Sequence, residues 1–445
     1  MKSITASARA AFAIVFLGAA AFAGGAQTAP MTTQGADAAS VDRAMQLYAA
    51  APAASLTALR AAESLAENGR WSSAFKSLGE FDKTDADPFV LALKISIVLR
   101  GSVRSDLHKA FGLVDLQPGQ TLEELRSTDG NYERIPFDPV ALAAAQNAQG
   151  VKAPGILSKA LGDYYVDVVA RFSGQWPLDD QTVMALAVDS YAAALAAGVF
   201  DARSLQNHGE TLVRLNRGDE SDAVYQKGIA FAPKDAELRY SYATTLAYRG
   251  KTAEALAQAD AAIGAYADPQ ESIDALALAA RLAAELGDAT KEAHYYALAD
   301  SQFPSSPTPG MLRFVVAEAM KRADAAAAAA DALASSYGSN PNIVRTVVSA
   351  WYADGQPGVA RAFLERNIAK STDSKTIATL EFYLAVLIAQ ATPSDADRVI
   401  AQKALDDAET RFKVIYPNGG DVFEAIAGLR GSLAPQRVDG AAPAQ

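Results

Sequence analysis

The stretch ARSLQNHGETLVRLNRGDESDAVYQKGIAFAPKD, residues 202–235, decides the fold, because its small and large apolar residues recur at helical spacing. The next stretch, AELRYSYATTLAYRGKTAEALAQADAAIGAYADP at 236–269, follows without a gap and repeats the pattern, so that Gly209 corresponds to Ala243. A recurrence of about 34 residues is typical of stacked pairs of antiparallel helices. The two stretches therefore predict two successive helix pairs.

Residue size within the two stretches supports this prediction. Small residues are needed where two helices cross, so that the backbones can approach: Gly209, Ala243, Ala255 and Ala262. Large residues would fill the space between successive pairs: Leu212, Tyr225 and Leu246. Pro233 ends the second helix, and we expect Gly218 and Gly250 to follow the first helices, where a positive φ is commonly needed.

The order of these residues is that of a known repeat. The stretch places Leu205, His208-Gly209, Leu212, Ser221, Tyr225, Gly228 and Pro233 at the spacing W-x2-L-G-x2-Y…A-x3-F…P. The chain therefore resembles the tetratricopeptide-repeat (TPR) family, and weaker copies stand at 55–88, at 273–304, at 307–340 and from Pro341 onward. The resemblance covers about six repeats, roughly half the chain, and implies an all-α, right-handed superhelical solenoid of antiparallel helix pairs.

The two ends of the chain do not share the helical pattern. Lys2 and Arg9 precede a short apolar run that ends at Ala21-Phe22-Ala23, which predicts a signal peptide at 1–23 cleaved after Ala23, with a retained anchor as the alternative. Because no Cys follows the run, a lipoprotein anchor is excluded. Residues 24–40 and 434–445 lack apolar periodicity, and we expect a disordered linker and a disordered tail.

Four segments lie between these ends. We expect an N-terminal helical repeat segment at 41–114, an irregular insertion at 115–155, a TPR solenoid at 156–374 and a terminal pair of capping helices at 375–433. The insertion is rich in Pro, Gly and Asn, and it is interpreted either as a loop between two repeat segments or as a binding flap over the groove.

Composition excludes several kinds of chemistry. The formal charge of −11 argues against nucleic acid as a partner, and the absence of Cys excludes thiolate catalysis and Cys-ligated metals. The only histidines, His108, His208 and His294, are isolated in sequence, and no phosphate-binding, metalloprotease or nucleophile-elbow motif is present. The Glu-Ser steps at Glu63 and Glu271 lack the Gly-Leu-Met-Gln sequel of lytic transglycosylases. We expect a protein that is not an enzyme and has no cofactor or metal.

The function predicted from the resemblance is binding of a peptide or protein in a concave groove lined by the first helices of the pairs. The repeat positions that face this groove give the candidates Arg203, Gln206, Arg214, Tyr240, Tyr248, Arg345 and Tyr352. Glu210 and Thr244 depart from the Lys and Asn of the chaperone-type carboxylate clamp, so that partner is not expected.

The sequence predicts a periplasmic or otherwise exported adaptor, with no stable membrane insertion after signal removal and an oligomeric state left open. A role in cell-envelope assembly fits that location. Two alternatives remain: a small-molecule or lipid binder associated with an envelope transporter, which needs a closed apolar pore, and a spacer with a merely solvated exterior.

Overall fold

The computed structural model describes residues 38–128, 130, 132–391 and 393–433, and most of them are helical. The chain divides between Ala265 and Tyr266 into two compact bodies. We call the described residues 38–265 the amino-terminal body and 266–433 the carboxyl-terminal body. The division falls inside the predicted solenoid at 156–374, and the short 3-10 helix Pro269–Ser272 lies just after it.

The amino-terminal body begins with four helices: α1 (Ala38–Gln46), α2 (Ala53–Glu67), α3 (Trp71–Phe81) and α4 (Pro88–Gly101). Helix α4 is apolar on nearly every side and is buried at most positions, as expected of a central helix. Helix α1 starts inside the predicted linker, which is therefore wrong for its last three residues. The predicted signal peptide and the rest of the linker lie outside the described residues.

A small antiparallel sheet follows α4, with strands β1 (Ser102–Asp106), β2 (Ala110–Leu113) and β3 (Arg134–Pro136) in that order. The prediction of helix throughout 41–114 is wrong here. Val103, Phe111 and Leu113 are buried, and the backbones of the two strands pair antiparallel. A tight turn with positive φ at Leu107 and His108 joins β1 to β2.

The predicted irregular insertion at 115–155 is ordered. It contains β3 and two helices, α5 (Leu122–Ser127) and α6 (Pro139–Ala148). Its start is fixed by Asp115, which accepts hydrogen bonds from the backbone N–H of Ser73 at 2.9 Å and from its hydroxyl. Its end is fixed by Gln146, which donates to the carbonyl of Asp85 at 2.7 Å. The insertion is therefore fastened to the first helices at both ends.

Six further helices complete the amino-terminal body as three antiparallel pairs. They are α7 (Gly155–Phe172), α8 (Asp180–Ala196), α9 (Ala202–Arg214), α10 (Gly218–Phe231), α11 (Ala236–Tyr248) and α12 (Thr252–Ile263). Asp179, Asp201 and Asp235 cap α8, α9 and α11 through their side chains, which satisfies backbone N–H groups at each helix start. Gly250 has the expected positive φ, but Gly218 begins α10, and Asn216 takes the left-handed conformation instead.

The carboxyl-terminal body is helical throughout its described residues. Its helices are α13 (Ile273–Glu285), α14 (Ala289–Gln302), α15 (Thr308–Ala319), α16 (Ala323–Tyr337), α17 (Pro341–Ala353), α18 (Pro357–Lys370), α19 (Ser374–Gln390), α20 (Asp395–Ile415) and α21 (Asp421–Leu433). The predicted terminal pair is a trio, because α21 buries Ile426 and Leu433. Gly428 and Gly431, which have low helix propensity, weaken its sequence signal. The predicted tail lies outside the described residues.

None of the helices within the described ranges combines the length and the apolar composition that crossing a bilayer requires.

Candidate functional site

Helix α9 carries three of the candidate residues on its solvent side. Arg203 and Arg214 are exposed and Gln206 is partly exposed. The opposite side packs into the body through Ser204, Leu205, His208, Gly209, Thr211 and Leu212. Eleven residues separate the two arginines, which places them ~16 Å apart along the axis and within ~20° of each other around it. The structure therefore places these three candidates on one face of α9.

Helix α11 carries the next two candidates. Tyr240 is partly exposed, and Tyr248, at the end of the helix, exposes 64% of its surface. Eight residues leave an angular difference of ~80° between them, so they share only a broad face. The buried side of α11 holds Leu238, Ser241, Tyr242, Ala243, Thr245 and Leu246. Neither tyrosine belongs to that buried set.

A hydrogen-bonded network joins α9 to α11 beside these residues. Oε1 of Glu210 accepts hydrogen bonds from Gln206 Nε2 at 3.1 Å and from Ser241 Oγ at 2.5 Å. The hydroxyls of Ser241 and Tyr225 are 2.7 Å apart, and burial raises the pKa of the Tyr225 hydroxyl above its ordinary value. Gln206 is thus partly committed to the protein, whereas Arg203 and Arg214 have no ion-pair partner among the described residues.

An open cavity of about 260 Å³ lies at the end of α11. Its lining consists of Val213, Asn216, Gly218, Asp219, Tyr248 and Arg249. Asp219 is fully exposed at its side chain, while Arg249 is mostly buried and lies 3.2 Å from it. Polar and apolar groups thus surround one side-chain-sized space beside Tyr248.

The carboxyl-terminal body holds the last two candidates, both on α17. Arg345 is exposed and donates a hydrogen bond to Asn342 Oδ1 at 3.1 Å. Tyr352 is 38% exposed, but its hydroxyl donates to the carbonyl of Gln390 at the end of α19, at 3.1 Å. Tyr352 therefore also ties α17 to α19. These two residues belong to a different body from the other five candidates.

Paired helices approach each other closely at small residues. A Cβ at Gly209 would lie 2.5 Å from the Tyr225 ring, and a Cβ at Gly228 would lie 2.9 Å from Leu238. At the matching places of the next pair, Ala243, Ala255, Ala259 and Ala262 are fully buried. Helices α9 and α11 begin at Ala202 and Ala236, in the register of the sequence repeat.

These helix pairs resemble tetratricopeptide repeats. The first helices of two consecutive pairs carry five of the candidates: Arg203, Gln206, Arg214, Tyr240 and Tyr248. The expected all-α architecture of antiparallel helix pairs is confirmed in the described residues, apart from the three short strands.

Solved structures of TPR proteins are similar to the chain at low sequence identity. A tetratricopeptide repeat protein from Parabacteroides merdae is 16% identical, with 62% of this chain and 99% of that chain covered and a TM-score of 0.34. Yeast Tom70 is 14% identical, with 89% and 85% covered and a TM-score of 0.37. The TPR domain of P58(IPK) is 11% identical, with 85% and 97% covered and a TM-score of 0.19. No family model and no curated protein matches the sequence.

One further cluster contains the residue types of a nucleophilic triad. His108 has its Nδ1 2.7 Å from Ser105 Oγ and its Nε2 2.6 Å from Asp167 Oδ2. Burial alone would raise the pKa of Asp167, but its hydrogen bonds with His108 and Arg171 hold that pKa below the usual range. The His108 ring is buried, and Ser105 Oγ also accepts the His108 backbone N–H at 3.2 Å. The cluster fastens the β1–β2 turn to α7.

Metal binding has no visible basis in the part of the chain that the structure describes, where no three His, Asp or Glu side chains converge. Sequence reasoning missed Ser241, Asp219 and Arg249 at the candidate face. Their neighbours are about 30 residues away in sequence, one repeat along, so a pattern that assigns positions within a single repeat does not reveal these contacts.

Proposed function

We propose that this chain is a scaffold that binds a peptide or protein partner on the face formed by α9 and α11. The observation that carries the proposal is the row of exposed Arg203, Arg214 and Tyr248 on consecutive first helices. Arginine and tyrosine are the residue types that most often supply binding energy at protein interfaces. The Glu210 network holds the two helices in a fixed relation, so this face is organised before any partner arrives.

The alternatives receive less support from the same region. A lipid or small-molecule binder needs an enclosed apolar space, whereas the cavity beside Tyr248 is open and lined partly by charged groups. A passive spacer requires no exposed aromatic residue at the face, and Tyr248 is one. A catalytic role is not part of the proposal, because the Ser241 hydroxyl that pairs with Glu210 is buried between α9 and α11.

The proposal also includes the location. The signal-like sequence at 1–23 supports export to the periplasm or another extracytoplasmic compartment, and envelope assembly is the process that this location suggests. Intact mass of protein isolated from the envelope should correspond to a chain that starts at Gly24. Membrane-bound material that retains residues 1–23 would contradict export with cleavage.

The binding face is tested by capture from the envelope fraction with the exported protein as bait. Tyr240→Ala combined with Tyr248→Ala should weaken capture by roughly 1–3 kcal/mol while helicity and melting temperature stay unchanged. The matched control is Phe231→Ala, because Phe231 is 56% exposed in the same body but stands on the second helix of its pair. Full capture by the double variant, or an equal loss in the control, would remove this face from consideration.

A further inference from the structure

The cavity beside Tyr248 points to the chemistry of the partner. Its volume of about 260 Å³ is below the range of sites for drug-sized ligands, which begins near 300 Å³, so it suits a single side chain. Val213 gives it one apolar wall, and at Gly218 the Arg249 guanidinium lies where a Cβ would stand. We propose that this cavity receives a cationic side chain, arginine or lysine, of the bound partner; the inference rests on the proposed function.

The aromatic wall favours a cation. Tyr248 exposes 64% of its surface and lines the cavity. The face of an aromatic ring carries negative partial charge and attracts ammonium and guanidinium groups placed within about 6 Å. A guanidinium group can in addition stack its flat surface on the ring.

The carboxylate wall favours a cation as well. Asp219 lines the cavity with a fully exposed side chain. Its Oδ1 accepts a hydrogen bond from Arg249 Nη2 at 3.2 Å, and the side chain stays open to solvent. An incoming lysine or arginine would therefore meet a carboxylate oxygen and an aromatic ring in the same space.

The arginine in the lining does not make this an anion site. Arg249 Nη1 donates to the carbonyl of Gly218 at 2.8 Å and to Asp222 Oδ1 at 2.5 Å, so both of its hydrogens are used. Lys251 also binds Asp222, at 2.7 Å. The charges of Asp219, Asp222, Arg249 and Lys251 cancel, and a carboxylate entering the cavity would lie against the already exposed Asp219.

Two further cationic side chains, Arg214 and Arg217, lie outside the cavity. Arg217 is paired with Glu220 at 2.7 Å, and Arg214 is not among the lining residues. The whole chain carries a formal charge of −11, so its field attracts a basic segment before contact. The exposed carboxylate of Asp219 and the net charge of the chain thus favour the same kind of side chain.

The test uses a blocked heptapeptide of alanine and serine with one central arginine, and versions with lysine, citrulline or glutamate in its place. Citrulline keeps the shape of arginine and removes its charge. Saturation-transfer NMR should show binding of the arginine and lysine peptides, with the citrulline and glutamate peptides weaker by about two- to five-fold or more. Added salt should reduce this difference.

Variants of the cavity complete the experiment. Asp219→Asn and Tyr248→Leu should each weaken the arginine peptide by about two- to five-fold. The matched controls are Phe231→Leu, which changes another exposed aromatic residue, and Asp324→Asn, which removes another exposed carboxylate; both should leave binding unchanged.

Equal binding of the arginine and citrulline peptides overturns the cation proposal, and so does preference for glutamate. If partner capture still depends on Tyr240 and Tyr248 in that case, the scaffold function stands without this specificity. If capture is independent of both tyrosines while the arginine peptide still needs Asp219 and Tyr248, the cavity stands and the proposed face for the large partner fails.

Discussion

Gly209 lies against the ring of Tyr225 at the crossing of α9 and α10, where a Cβ would stand 2.5 Å from the ring. Tyr225 is fully buried and hydrogen-bonded to Ser241, so the ring has little room to move. Gly209→Ala is therefore expected to lower the free energy of unfolding by ~1–3 kcal/mol, as overpacking does. Urea unfolding followed by circular dichroism measures the change.

The control for this substitution is Gly358→Ala in α18, where an added Cβ meets nothing within 4 Å. Because alanine is the better helix former, this variant should gain up to about 1 kcal/mol. An unfolding midpoint of Gly209→Ala equal to that of the unmodified protein would contradict the close crossing.

His208 makes the stability of the amino-terminal body sensitive to acid. Burial, together with the positive charge of Arg217, lowers the pKa of His208 from 6.5 to about 4, and its ring lies 5.6 Å from that of Tyr191. The unfolded chain takes up a proton near pH 6.5 and the folded chain does not, so this stability is present above pH 6.5 and is lost as the pH falls towards 4.

The matching variant is His208→Leu, which places the usual apolar residue at this repeat position. Between pH 7 and pH 4.5 the unmodified protein should lose about 2–3 kcal/mol more than the variant, measured by urea unfolding at both pH values. Parallel losses in the two proteins would show that other groups cause the acid sensitivity.

Two buried glutamates of the carboxyl-terminal body should respond oppositely to neutralisation. Burial raises the pKa of Glu318 above its ordinary value. The hydrogen bond that Trp351 Nε1 donates to Glu318 at 2.9 Å acts in the opposite direction and lowers this pKa. Glu292 is instead held by Arg322 at 2.5 Å and accepts a hydrogen bond from Tyr296 at 2.9 Å. Removing the charge relieves desolvation at the first site and breaks an ion pair at the second.

At pH 7, Glu318→Gln should therefore raise the free energy of unfolding by roughly 1 kcal/mol, and Glu292→Gln should lower it by a similar amount. A folded-state pKa above the unfolded value means that the native protein loses stability as the pH rises through it. The gain in Glu318→Gln should accordingly shrink near pH 4. Destabilisation by Glu318→Gln at pH 7 would show that the charge itself is needed.

The turn between β1 and β2 is held by three groups from α7 and from the segment after it. Tyr164 donates to the carbonyl of His108 at 2.7 Å, Trp176 Nε1 donates to the carbonyl of Leu107 at 3.0 Å, and Asp167 binds the His108 ring. Tyr164→Phe leaves a buried carbonyl without its donor and should cost ~1–3 kcal/mol. Amide hydrogen exchange should become faster at 102–113 than at 202–248, whereas uniform acceleration would contradict a local role.

The repeat pairs were predictable because their information is local. Ala202 and Ala236 mark helix starts that the spacing of Gly209 and Ala243 already indicates, and the face of Arg203 and Arg214 follows from helical periodicity. Tyr240 and Tyr248 lie on α11 as expected, and their contribution to partner binding stays a prediction. The groove-facing role of all seven candidates is untested by the fold alone.

The parts that the sequence did not predict depend on distant partners. The strands at 102–113 pair with each other and with β3, which lies more than twenty residues further along the chain. The local sequence at 102–113 does not show this pairing. The order of the insertion depends on Ser73 and Asp85, far from it in sequence. The division after Ala265 has no strong local signal, because only three residues separate the copies at 236–269 and 273–304.

The fastening of the β1–β2 turn also sets an order in which the chain can become structured as it is synthesised. Each helix pair of the repeats can close as soon as its own residues have left the ribosome, since its contacts are with neighbours in sequence. The turn at His108 has to wait until Tyr164, Asp167 and Trp176 have appeared, more than fifty residues later. During that interval the turn lacks all three of these partners, so this early segment completes its folding later than its position in the chain suggests.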